Sequence, residues 1–251
     1  MDNTKIFSNK VENYIKFRPS YPSEVIRFLY TNIGINKDSR IADIGSGTGI
    51  FTKLILEQKN KVYAVEPNNE MREAAEKLLS KYEKFISVNG SAESTTLVSS
   101  SVDFVVSAQA FHWFDRLKAK KEFSRILNPE GKVILVWNKR IKKGNPFLID
   151  YEQLLLNYAK EYKEISLENI GDAELKEFFQ DKYDTDMLPN NQYFNFEQLT
   201  GRLLSSSYAP SPSDNNYEPM LKELKNIFDK FNNNGFVSFE YQTLIYWGNV
   251  R

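Results

Sequence analysis

The 251-residue chain contains no cysteine and a single histidine, His112. Without thiols there are no disulfides and no thiolate chemistry. Zinc sites are built chiefly from Cys and His, so one histidine excludes such a site, while counting does not exclude an all-carboxylate Mg²⁺ site. An excess of either charge is missing too, since 33 basic side chains balance 33 acidic ones. Neutrality gives no general pull toward nucleic acid or anionic membrane. There is no run of membrane-spanning length, no apolar stretch in Met1–Lys10 of the secretory kind, no repeat and no low-complexity tract. These absences lead us to expect a cytoplasmic monomer or homodimer with no nucleic-acid or membrane partner and no His/Cys metal site. What is present is 41% hydrophobic and 26% charged residues, a globular composition with enough length for one domain plus a large insertion.

The most informative stretch is Ile41-Ala42-Asp43-Ile44-Gly45-Ser46-Gly47-Thr48-Gly49-Ile50-Phe51-Thr52. A short apolar run ends in an acid, glycines alternate with small residues, and apolar helical spacing resumes through Leu54, Ile55 and Leu56. That pattern predicts strand, tight turn and helix. Glycines permit unusual φ values and close ligand approach, and the helix start offers unpaired N–H groups. A dinucleotide fingerprint spaces its glycines G-x-G-x-x-G, whereas here the third comes one residue early. This argues against an NAD-dependent oxidoreductase. The G-x-G-x-G turn with Asp43 two places before it resembles the nucleoside-binding loop of class I S-adenosylmethionine-dependent methyltransferases with a type 11 domain.

Lys61–Val65 reads as a second strand ending at Glu66-Pro67. An acid at this tip, about twenty residues past the first, suits a vicinal ribose diol, because an ionised carboxylate only accepts hydrogen bonds. Asn68 or Asn69 is placed to cap a helix over 70–82. Met71 in its first turn can lie against an adenine ring or pack in the core. Phe85–Val88 predicts a third strand, and Ser101–Ser107 a fourth whose end, with Ser107 and Gln109, faces the ligand crevice. Lys132–Trp137 predicts a fifth strand after an Asn128–Gly131 turn. Asn138 and Arg140 at its carboxyl end are candidate substrate residues.

Two further segments resemble the trans-aconitate-methyltransferase-like branch of that family: Tyr14-x-x-x-Arg18-Pro19-x-Tyr21-Pro22, and Gln109-Ala110-Phe111-His112-Trp113-Phe114. The resemblance implies S-adenosylmethionine (SAM) as cofactor. It implies that Arg18 pairs with the cofactor carboxylate, that Tyr14 covers the sulfonium end, and that Ala92 and Glu93 meet the adenine. The cofactor set is then Tyr14, Arg18, Asp43, Gly45, Ser46, Gly47, Thr48, Gly49, Glu66, Pro67, Met71, Ala92, Glu93, Ser107 and Gln109. His112 can take a proton or orient an acceptor carboxylate, and packing among aromatics is its other role. With Trp113, Asn138, Arg140 and Tyr208 it forms the candidate substrate set.

The expected fold is α/β, a Rossmann-like, seven-stranded, mostly parallel sheet with helices on both faces. Its expected parts are an N-terminal helical cap over 1–36, in which Ser23 caps a helix over Glu24–Asn32, a cofactor-binding core over 37–143, a helical lid and substrate insertion over 144–234, and the last two strands, Phe236–Tyr241 and Thr243–Trp247, over 235–251. The expected activity is methyl transfer from SAM to a small molecule, with a carboxylate oxygen as acceptor on the branch resemblance. An N- or C-methyltransferase and a non-catalytic SAM-binding protein are the alternatives.

Overall fold

The computed structural model describes residues 20–159, 162, 171–206 and 208–251. Tyr14 and Arg18, and most of the expected cap, lie outside these residues.

Seven strands form one sheet: β1 (Arg40–Ile44), β2 (Lys61–Val65), β3 (Phe85–Val88), β4 (Val102–Ala108), β5 (Leu127–Arg140), β6 (Tyr183–Phe194) and β7 (Val237–Gly248). Their order is β3-β2-β1-β4-β5-β7-β6. The pairings among β1 to β5 are parallel, and β7 runs antiparallel to both β5 and β6. The buried strands read as Val- and Ile-rich runs because both faces are covered. One face packs on α1 (Ser23–Phe28) and α2 (Ile50–Leu56), through Val25, Phe51 and Ile55. The other packs on α4 (Arg116–Ile126) and α6 (Asp172–Phe179), through Phe123 and Phe178. Between them in the chain, α3 (Asn69–Leu79) joins β2 to β3. A third core joins α5 (Pro146–Tyr158), α7 (Phe196–Leu204) and α8 (Tyr217–Phe231) to Val237, Phe239 and Tyr241 of β7. Among the described residues, no helix is long and apolar enough to cross a membrane.

Four local expectations are corrected. Ser23 is the expected N-cap of the first helix, but Pro22 holds that position (φ −65°, ψ 147°), its fixed φ already suited to a helix entry. The helix expected to run to Asn32 widens at Leu29–Ile33 into a π turn that ends at left-handed Gly34. The Asn128–Gly131 turn lies inside β5, as a bulge opposite the register shift between Val102 and Phe104.

The fourth correction concerns the last two strands. Residues 236–247 were expected to hold both, yet they belong to one uninterrupted strand, since inward and outward residues alternate straight through Gln242. The remaining strand, β6, lies within the stretch expected to be helical. It is an edge strand, mostly exposed and polar, and it carries Asp184, Asp186 and Pro189. Such residues blunt a sheet edge and also hide it from a hydrophobicity reading.

Candidate functional site

The parallel strands deliver their carboxyl ends to one side of the sheet, where the predicted glycine turn lies. Gly45, Gly47 and Gly49 all take left-handed φ values of 69°, 56° and 82°. The Gly45 and Ser46 N–H groups donate to the Val65 carbonyl, tying the turn to the tip of β2. A Cβ on Gly45 would stand 2.5 Å from the Ala110 Cβ and 3.3 Å from the Phe114 ring. The turn and the segment after β4 are therefore in contact, as the two motifs together require.

Glu66 caps this arrangement. Its carboxylate accepts from Gly47 N–H at 2.8 Å and from Asn68 N–H at 2.9 Å. A carboxylate offers about four lone-pair sites, so roughly half its acceptor capacity remains. Burial pushes the Glu66 pKa up, against the pull of the Asn68 and Gly47 N–H groups and the Arg72 charge. Pro67 turns the chain, Asn68 caps α3 by accepting from Met71 N–H at 2.9 Å, and the Met71 sulfur lies 3.8 Å from where a Gly47 Cβ would be.

Asp43 is buried at the end of β1. Its Oδ2 accepts from the Thr52 hydroxyl at 2.6 Å, and its Oδ1 has no partner. Burial pushes this carboxyl up to about 7; the Thr52 hydroxyl opposes the shift and the Glu66 charge adds to it. The Thr48 and Ser107 hydroxyls are also buried without a hydrogen-bond partner. Ser107 follows Val106, the register partner of Asp43, so all three orphaned oxygens flank the glycine turn. Buried polar atoms are nearly always satisfied, and such a cluster marks a place built for a polar ligand.

Other predicted residues are engaged within the protein. Ala92 is buried, and Glu93 accepts the Asp115 N–H at 2.9 Å, holding the loop after β3 to the start of α4. Gln109 takes a left-handed φ of 62°, and its amide donates to the Asn138 carbonyl at 3.1 Å. His112 lies in a short 3₁₀ turn, its ring 4.7 Å from Trp113 and 5.9 Å from Trp137. Asn138 is buried in a junction: its Oδ1 accepts from Thr243 and Asn190, and its amide donates to the Ser20 carbonyl. Arg140 pairs with Glu152 and donates to the Tyr162 hydroxyl, and Tyr208 packs edge-on against Tyr162 at 4.9 Å.

Sequence reading missed Thr52 and Arg72. Thr52 stands on the buried face of α2, and its hydroxyl at an otherwise apolar helical position was an available signal. Arg72 donates to the Glu66 carbonyl at 3.0 Å and to Asn69 at 2.6 Å, and nothing in the sequence separates it from any exposed helix arginine.

Comparison with known proteins bears on this geometry. Residues 42–135 match a family described as "Methyltransferase domain". A Schizosaccharomyces pombe protein described as an uncharacterized methyltransferase is 34% identical over 155 residues, covering 60% of this chain and 59% of that protein. A Mycobacterium tuberculosis protein described in the same words is 38% identical over 134 residues, covering 53% of this chain and 52% of its own length. The chain thus spans little more than half the length of these curated relatives. A solved structure from Anaeromyxobacter dehalogenans, described as a candidate type II methyltransferase, shares the fold with a TM-score of 0.66 at 18% identity, covering 93% of this chain and 98% of its own. Domain match, relatives and sheet order agree with the glycine turn and its acid: residues 42–135 are similar to methyltransferase domains, and the fold is one shared with a solved structure described as a methyltransferase.

Proposed function

We propose that this protein transfers the methyl group of SAM to a small-molecule acceptor. The observation that carries the reading is the trio of orphaned buried oxygens, on Asp43, Thr48 and Ser107, around a glycine turn that faces Glu66. SAM, when bound, supplies a methyl made electrophilic by its sulfonium. Glu66 would hold the ribose hydroxyls with its spare lone pairs, and Met71 and Ala92 would flank the adenine. Asp43, Thr48 and Ser107 would satisfy polar groups at the other end of the ligand. The protein's main task is then to hold acceptor and methyl in line, an effect on the order of 7–11 kcal/mol.

A carboxylate oxygen is the acceptor that the branch resemblance favours, and it needs no base because it is already deprotonated near neutrality. In that case His112 orients the acceptor. An acceptor that must lose a proton would give His112 the role of base. Neutral overall charge and a compact insertion beside β5 favour a small molecule over nucleic acid.

Calorimetric titration with S-adenosylhomocysteine tests the cofactor site. We expect binding by the unaltered chain and a dissociation constant raised about tenfold or more in Glu66→Ala, as the loss of charge-assisted hydrogen bonds implies. No heat at about 100 µM protein, or equal affinity in the variant, would overturn the assignment. Methyl release from labelled SAM over a panel of acids, amines and phenols then separates turnover from binding alone.

A further inference from the structure

The Thr52 hydroxyl is out of keeping with its own helix. α2 turns Phe51, Ile55 and Leu56 into the core, and Thr52 stands among them fully buried. A buried hydroxyl costs free energy unless it finds a partner, and valine fills nearly the same shape without that cost. A threonine inside a helix commonly bonds back to the carbonyl four residues before it. Here the hydroxyl instead reaches from α2 to the end of β1 and donates to Asp43 Oδ2 at 2.6 Å.

This bond gives the Asp43 carboxyl a direction. The χ2 torsion of an aspartate is broad, so a carboxyl without an anchor has no fixed orientation. With Oδ2 held, Oδ1 is fixed as well, and it is the oxygen left buried without a partner beside the glycine turn. The surroundings otherwise oppose a charge on this acid. Glu66, at the tip of β2, is a second negative group, and β4 presents the neutral Ser107. Among the described residues no cation pairs with Asp43. The Thr52 hydroxyl and backbone N–H pull the other way, toward the ionised form. The acid still needs a donor at Oδ1. Of the polar groups at the amino-acid end of SAM, the ammonium donates and the carboxylate does not.

We infer that Thr52 is a positioning residue for the cofactor: its hydroxyl holds the Asp43 carboxylate turned so that Oδ1 receives the amino-acid end of the ligand. This role deepens the methyltransferase reading and rests on it. Two consequences separate it from packing. The adenosine half of the ligand, which Glu66 would hold, is indifferent to the hydroxyl. And because the hydroxyl favours carboxylate over acid, its loss raises the pH at which Asp43 can accept from an ammonium.

The test is calorimetry on the full chain with two ligands, S-adenosylhomocysteine and 5′-methylthioadenosine, which lacks the amino-acid end. At about pH 7, Thr52→Val should weaken S-adenosylhomocysteine about fivefold or more and leave 5′-methylthioadenosine within about twofold. Thr52→Ser keeps the hydroxyl and should stay within about threefold of the unaltered chain for both ligands. In the unaltered chain, S-adenosylhomocysteine affinity should rise with pH through about 7, where burial places the Asp43 carboxyl. In Thr52→Val that midpoint should lie higher. Unchanged S-adenosylhomocysteine affinity in Thr52→Val, an equal loss for both ligands, no recovery in Thr52→Ser, or an unshifted midpoint each overturns the inference. A crystal structure of the unaltered chain with S-adenosylhomocysteine decides even if Thr52→Val does not fold. The Thr52 hydroxyl should remain on Oδ2 with the amino-acid end of the ligand at Oδ1; a hydroxyl turned away, or a ligand that does not reach Oδ1, overturns the role. If the unaltered chain binds neither ligand, the methyltransferase reading falls instead.

Discussion

The glycines of the turn are not equivalent. All three hold left-handed φ, where a side chain costs about 1–2 kcal/mol. At Gly47 that is nearly the whole cost, because an added Cβ meets only the Met71 sulfur at 3.8 Å. At Gly45 the Cβ would collide with the Ala110 Cβ at 2.5 Å, a short side chain that cannot swing away. Gly45→Ala should therefore lower the urea midpoint clearly more than Gly47→Ala. Asp43 supplies a pH test. Burial raises its folded-state pKa to about 7, above the usual carboxylate value of about 4. Between those values the native state keeps a proton that the unfolded chain has released, so this residue's contribution to stability falls as pH rises from about 4 to 7. The stability of the unaltered chain relative to Asp43→Asn, from urea unfolding across that window, should decline with rising pH; a rising difference would contradict the assignment. Glu66 is raised by burial as well, and both chains retain it, so its own burial cancels and the difference reports Asp43 together with its coupling to Glu66.

At the scale of elements, Asn138 ties β5 to both β7 and β6. Its Oδ1 takes the Thr243 hydroxyl at 2.6 Å and the Asn190 amide at 3.0 Å. Asn138→Ala leaves two buried donors unsatisfied, at about 1–3 kcal/mol each. Thr243→Val removes one donor with little change of shape and should cost much less. Hydrogen exchange should quicken along β6 in Asn138→Ala and stay near normal in Thr243→Val. This junction was only half legible. Asn138 stood out as a polar residue ending an apolar strand, and was read as facing substrate. Its partners, Asn190 and Thr243, lie 52 and 105 residues away and belong to strands that no periodicity links to it.

For the whole molecule, a ligand that binds only the folded state stabilises it by mass action. At about one hundred times its dissociation constant, S-adenosylhomocysteine should add about 2.7 kcal/mol. For a chain of this size that is a rise in Tm of roughly 5–11 °C, readable by scanning fluorimetry. Glu66→Ala should lose most of the rise at the same ligand concentration. A rise of equal size in both chains would mean that the ligand binds elsewhere.

The geometry of the proposed cofactor half was readable in one dimension because its signals are local. A glycine turn, the acid before it and the acid at the next strand tip are dictated by backbone geometry within a few residues, and a parallel sheet brings such tips together by its connectivity. The far side of β5 was less so: Asn138 and Arg140 stood out in sequence, but Asn138 ties strands together and Arg140 is engaged by Glu152 and Tyr162 from the insertion, partners that no local pattern supplies. Likewise the polar edge strand β6 gains its identity only from hydrogen bonds to β7. The sequence alone therefore determined the sheet's parallel core and the glycine turn at its carboxyl edge, through local conformational preference and hydrophobic period. Tertiary structure decided which polar side chains are spent holding strands together and which buried charges are left without partners, because pairing depends on long-range contacts that chain order does not encode.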